Sequence, residues 1–209
     1  MDIEIVKPAD IEKRSFEIIS ELLGDKKLDP RYEKIIKRAI HTSADFEYAQ
    51  TLYFSDGVVE TLKDALKNGV DIVTDTQMAK AGISKAALGK FGGQVHCFMS
   101  DGDVADEAKA RGVTRAAVSM EKAASLKNPL IFAIGNAPTA LIRLSELHSE
   151  GLLSPVGVIG VPVGFVNVVE SKELLMETGI PCIVARGRKG GSNIAAAICN
   201  ALLYDIMAL

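Results

Sequence analysis

The chemistry most concentrated in this chain is cationic. Arg186-Gly187-Arg188-Lys189-Gly190-Gly191-Ser192-Asn193 joins three cations to three glycines immediately before an apolar helical stretch. Glycines let a backbone approach a ligand closely, and the free N–H groups of a helix N-terminus attract anions. The Arg188 guanidinium can grip a carboxylate through two parallel hydrogen bonds, and Ser192 or Asn193 is the expected helix cap. A solvated basic turn has the same composition. The stretch is not a phosphate loop, because no Lys-Ser or Lys-Thr follows its last glycine, and no Gly-x-Gly-x-x-Gly occurs. A nucleotide-dependent enzyme is therefore disfavoured. A second loop, Gly135-Asn136-Ala137-Pro138-Thr139, follows the apolar run 130–134. Gly135 lets the chain turn, Asn136 can cap, and Pro138 suits a first helical turn, so this is a well-made helix start with or without a ligand. A third, Gly160-Val161-Pro162-Val163-Gly164-Phe165-Val166-Asn167, reads either as a wall for a flat apolar macrocycle or as a rigid turn.

The remaining candidate group is Arg38-Ala39-Ile40-His41-Thr42-Ser43-Ala44-Asp45-Phe46, where Thr42 and Asp45 have capping-box spacing. That spacing sets His41 at a break between helices. If the helix continues instead, His41 lies opposite the Tyr32/Ile36/Ala39 stripe with Arg38 one turn earlier on nearly the same face, and the two could meet one ligand. A histidine off the apolar stripe is otherwise an ordinary solvent-facing residue. Ser15 falls on the stripe of Ile11, Ile18, Ile19 and Leu22, where its hydroxyl needs a partner. The carbonyl one turn earlier is the simplest one. His96 reads as structural, and His148, near Glu146 and Glu150, as a surface residue.

These residues need a scaffold. Residues 10–50 carry two helical stripes, separated by Gly24 and Asp29-Pro30. Beyond residue 58, strand-like runs at 71–75, 94–98, 116–119, 130–134, 156–161 and 182–185 alternate with helical patterns such as 58–68, 104–111 and 139–149. Such alternation builds βαβ units. The expected fold is α/β, a doubly wound, mainly parallel sheet of five or six strands with helices on both faces and two N-terminal helices. In that architecture ligands sit beyond the carboxyl ends of the strands, where the three loops belong. No linker or repeat interrupts residues 1–209, so a single domain is expected. The chain has 209 residues, 48% hydrophobic, with a net charge of −3 and dispersed Lys and Arg, which speaks against nucleic acid. The apolar stretches 155–169 and 194–209 are too short or too interrupted to span a membrane, and the second is expected to be a buried or interface helix. The acidic start differs from a secretory leader, which points to the cytoplasm. Cys97, Cys182 and Cys199, widely spaced in apolar runs, read as reduced and buried, with no disulfide or zinc site.

Six stretches together resemble one family: Glu12-Lys13-Arg14-Ser15-Phe16, the nine residues from Arg38 to Phe46, Ile134-Gly135-Asn136-Ala137-Pro138-Thr139-Ala140, Val161-Pro162-Val163-Gly164-Phe165-Val166, Glu170-Ser171-Lys172, and the seven residues from Arg186 to Ser192. In that order, from about residue 10 to residue 203, they are similar to the precorrin-8X and cobalt-precorrin-8 methylmutases. The resemblance implies an isomerase of cobalamin (vitamin B12) biosynthesis that shifts a methyl group from C-11 to C-12 of a corrinoid ring, giving hydrogenobyrinate or cobyrinate. It matches His41 to the family histidine, which would protonate or hydrogen-bond the porphyrin-like tetrapyrrole, and Ser15 and Arg38 to substrate contacts. With Arg14, Asn136, Arg188 and Ser192 these would hold the peripheral carboxylates. It further implies a homodimer with the site near the interface and no cofactor or metal ligand of the protein's own, any cobalt entering with the substrate. The form of the His41 segment looks closer to the cobalt-containing branch. A non-catalytic tetrapyrrole carrier would use the same anion loops without needing His41.

Overall fold

The two N-terminal stripes do become helices, α1 (Ile11–Leu23), which stops at Gly24, and α2 (Glu33–Ser43), in a computed structural model that describes residues 3–208. There follow α3 (Tyr48–Thr51), β1 (Leu52–Phe54), α4 (Val58–Lys67), β2 (Asp71–Thr74), α5 (Gln77–Gly82), α6 (Lys85–Gly89) and β3 (Val95–His96). The second half comprises α7 (Gly102–Arg111), α8 (Arg115–Ala123), β4 (Leu130–Ile134), α9 (Pro138–Ser149), β5 (Gly157–Gly160), α10 (Val168–Glu177), β6 (Cys182–Ala185) and α11 (Ser192–Met207). Residues 1, 2 and 209, the outer limits of the expected domain and the last residue of the C-terminal apolar stretch, lie outside the described residues.

The strands form one six-stranded sheet in the order β1-β6-β5-β4-β2-β3, parallel throughout except that β1 runs antiparallel to β6 at one edge. Side chains alternate across it, as the pleat requires. On one face Ile131, Ile159 and Ile183 pack with α2, α4 and α11. On the other, Phe132, Val158 and Val184 pack with α8, α9 and α10. Every residue of β2, β4, β5 and β6 is buried, the mark of parallel strands covered on both faces. Between β4 and β2 the chain's winding reverses: α9 leads from β4 to β5 on one side, and α5 and α6 lead from β2 to β3 on the other. The crevice of a doubly wound sheet opens at that reversal.

Two expectations are corrected, and one strand appears where none was expected. Residues 116–119 are not a strand but part of α8, where Thr114 caps by accepting from the Ala117 amide; the β-like run Ala-Ala-Val-Ser is overridden by its cap and by packing against α9. The edge strand β1 had no sequence signal, because it is three residues long and follows a helix directly. The α1 stripe is only partly internal: Ile19 is buried, while Ile11, Ile18 and Leu22 are 52%, 36% and 67% exposed. By contrast α11 is a core helix, with Ile194, Ile198, Leu202 and Leu203 buried. No helix among the described residues is long and apolar enough to cross a membrane.

Candidate active site

Helix α2 carries the histidine. It ends at Ser43, with Ala44 in the left-handed region at φ 56°. The capping box does not form: the Ser43 hydroxyl donates to the Ala39 carbonyl and accepts from the Asp45 amide, while Asp45 accepts from the Glu47 amide. His41 therefore stands in the last turn of α2, exposed, rather than at a break between helices. One side of its ring is supported by Phe16 of α1, with centroids 5.4 Å apart and planes inclined by 27°. The same Phe16 lies 4.9 Å from the Arg38 guanidinium, which also reaches Tyr204 of α11 at 5.5 Å and pairs with Glu12. Arg38 and His41 thus share the outer face that helical periodicity expects. Ser15 donates to the Ile11 carbonyl at 2.8 Å, which satisfies its proton and leaves its lone pairs to accept.

The end of α2 is joined to the cationic loop. Lys189 Nζ donates to Asp45 Oδ2 at 2.6 Å and pairs with Glu47, and its hydrogen bond holds the Asp45 carboxyl below the usual carboxylate range. Gly190 is needed there because a Cβ would come within 2.0 Å of the Val161 carbonyl oxygen. Arg188 donates to the Phe165 carbonyl at 2.7 Å, and its guanidinium lies 5.6 Å from the Phe165 ring. Phe165 and Val166 stand 81% and 79% exposed, an apolar wall beside a cation.

Under this loop lies Lys172 of α10, fully buried, donating to the carbonyls of Gly187 at 2.7 Å and Lys189 at 2.9 Å. It has no carboxylate partner among the described residues. Burial pushes its ammonium down to about 8. Holding an ammonium away from water without a counter-ion costs several kcal/mol even with hydrogen bonds.

The other glycine loop is arranged differently. The amides of Gly135, Asn136 and Ala137 donate to the Asp75 carboxylate at 2.9, 2.8 and 2.6 Å. Asp75 is 1% exposed, and burial raises its carboxyl above the usual range against the pull of those three amides. Asn136 therefore does not cap α9; its amide serves Asp75, and its side chain faces solvent. Nor do Ser192 or Asn193 cap α11, whose cap is Gly191; the Ser192 hydroxyl is bonded at 2.7 Å to Thr76, next to Asp75. The two loops touch, since a Cβ on Gly135 would fall 2.6 Å from the Ser192 Cα.

The structure thus brings Arg188 and Ser192 onto one loop, sets Asn136 beside Ser192 through Gly135, and links the loop to the end of α2 through Lys189 and Asp45. Arg14 shares no hydrogen bond or ion pair with these; Glu4 at 2.8 Å, Glu21 at 3.2 Å and Glu17 at 3.7 Å engage it. Asp75, Thr76, Phe16 and Lys172 were not singled out as site residues by sequence. Lys172 did carry a signal: it sits with Val168, Ser171 and Leu175 at the helical spacing of a buried stripe. His96 is structural, 3.0 Å from the buried Asp71, whereas His148 is half-buried and bonded to the Leu153 carbonyl rather than a surface residue. The three cysteines are free and buried.

Residues 10–205 match the CbiC family, described as precorrin-8X methylmutase. A cobalt-precorrin-8 methylmutase of Salmonella typhimurium is 49% identical, with 97% of each chain covered. Another, from Priestia megaterium, is 44% identical over 94% of this chain and 88% of that one. Among solved structures, a precorrin-8X methyl mutase from Thermus thermophilus superposes with a TM-score of 0.86 at 37% identity, covering 95% of this chain and 98% of that one.

Proposed function

The chain belongs to the precorrin-8X methylmutase family, and on that premise we propose that it moves a methyl group from C-11 to C-12 of cobalt-precorrin-8, giving cobyrinate, with His41 as the catalytic residue. The activity is that of a methylmutase, an isomerase of corrinoid synthesis. What supports the role of His41 is its exposure at the end of α2, braced by Phe16 on one side and joined through Asp45 and Lys189 to the cationic loop. An imidazole can both give and take a proton near neutrality. A proton or hydrogen bond from His41 draws electron density into the conjugated ring, the methyl leaves C-11 with its bonding pair and joins C-12, and the proton is returned as conjugation resets. Atoms balance within one molecule.

Arg188, Ser192, Asn136, Arg38 and Ser15 hold the peripheral carboxylates, Arg14 is the outlying member of that set, and Phe165 and Val166 offer the ring an apolar wall. No cofactor is needed, and cobalt enters as part of the substrate. The cobalt-containing substrate is favoured by the two relatives of 49% and 44% identity, both named for it. The exposed Ile11, Ile18 and Leu22 of α1 suit a second copy of the chain, whose approach would shelter the neighbouring His41 face. The enzyme works in the cytoplasm as one domain spanning residues 1–209.

The test is an anaerobic absorbance time course with cobalt-precorrin-8, run with wild type and His41→Ala and with products identified by NMR. Wild type converts the substrate, and His41→Ala slows conversion by at least about a hundredfold while still binding it. Binding by both proteins with conversion by neither would instead favour a carrier.

A further inference from the structure

The cationic loop is built from the inside. Its carbonyls are occupied by donors beneath it: those of Gly187 and Lys189 by the Lys172 ammonium, and that of Arg188 by the Gly164 amide at 3.2 Å. At its two ends the amides of Arg186 and Gly191 donate to the Thr51 and Val161 carbonyls, but between them those of Gly187, Arg188, Lys189 and Gly190 donate to no protein acceptor among the described residues. A backbone whose successive carbonyls are bonded on one side and whose amides are free is an anion-binding concavity, and a charge fixed below it in low dielectric strengthens it. A methionine would fill the space of Lys172 without desolvating a charge, so packing alone does not account for a lysine on the buried stripe of α10.

We propose that Lys172 is a positioning residue for substrate carboxylates: its buried ammonium holds the carbonyls of the 186–191 loop inward, so that the loop's free amides, together with Arg188, receive a peripheral carboxylate of the corrinoid. The assignment rests on the proposed corrinoid reading of this loop and adds to it a backbone subsite and the group that shapes it. Lys172 touches no substrate and takes no part in the methyl shift. Its loss therefore weakens binding and spares the chemical step.

Steady-state conversion of cobalt-precorrin-8 by wild type, Arg188→Ala and Lys172→Met separates the possibilities. The expected result is a KM raised about tenfold or more in both variants, with kcat of Lys172→Met within about threefold of wild type and its melting temperature not lowered. A raised KM in Arg188→Ala with an unchanged KM in Lys172→Met overturns the Lys172 assignment and leaves the loop reading standing. Unchanged KM in both overturns the two together. A measurement on wild type guards against a variant that fails to fold: lysine side-chain NMR follows the Lys172 amine, assigned by through-bond correlation to its own backbone amide, with and without bound cobyrinate. A carboxylate seated on the loop raises that midpoint by about one unit, and a midpoint unmoved by saturating cobyrinate overturns the proposal.

Discussion

The loop after β4 and the loop after β6 have the same outline: a fully buried strand, a glycine, then the start of a long helix. Inside, they carry opposite ions. After β4 the three leading amides close on the Asp75 carboxylate, so the anion that a helix N-terminus attracts is already supplied by the protein. After β6 a cation takes the carbonyls of Gly187 and Lys189, and the amides of Gly187 to Gly190 stay open. A glycine loop before a helix thus offers backbone amides to a ligand only if nothing internal has claimed them. In this fold the first loop has its amides closed and presents only side chains such as Asn136, while the second keeps amides open.

The largest test of that contrast is Asp75→Ala. It strands three amides that are held by a buried carboxylate, and a loss of about 3 kcal/mol is expected in urea unfolding. A loss below about 1 kcal/mol would mean that the β4 loop does not depend on its internal anion. A finer test compares the two ions by pH. The Lys172 amine is lowered in the folded state from 10.5 to about 8, so between these values the folded chain binds fewer protons than the unfolded one. Stability from this residue therefore rises as pH goes from about 8 toward 10.5, and Lys172→Met should flatten that rise. Asp75 has the opposite sign: its carboxyl is raised above 3.8, the folded chain keeps the proton longer, and its contribution falls as pH rises through the raised value. The difference between wild type and Asp75→Ala across acid pH shows this fall; a difference that does not vary with pH would refute it. The smallest expected effect is at the exposed link between the open loop and α2. Lys189→Ala removes ion pairs to Asp45 and Glu47 in solvent, and the melting temperature should stay within about 2 °C of wild type.

Much of this arrangement is legible in the residues. The 3.6-residue stripes of α1 and α2, the apolar runs that became β2, β4, β5 and β6, and the punctuation by Gly24 and Asp29-Pro30 carry their own local physics. The Ser15 back-bond was readable as well, because a serine on an apolar stripe has few other partners. The run 116–119 misled because its β-like residues lack an independent say once Thr114 caps a helix over them. Lys172 was readable as a misfit on a stripe, but its meaning required the loop 15 residues further along the chain.

What the sequence determined by itself is the alternation that makes a parallel sheet, the cations and glycines gathered before α11, and the isolation of His41 from the apolar stripe. Each follows from short-range propensity and periodicity. The tertiary structure decided which groups those residues meet: Asp75 closes a loop 60 residues away, Lys189 ties to a helix end 144 residues earlier, and Phe16 braces His41 from another helix. The physical reason is that hydrogen bonds and charge pairs act over a few ångströms in space, whereas the order of strands in the sheet, which sets who is near, depends on how all the crossovers pack together.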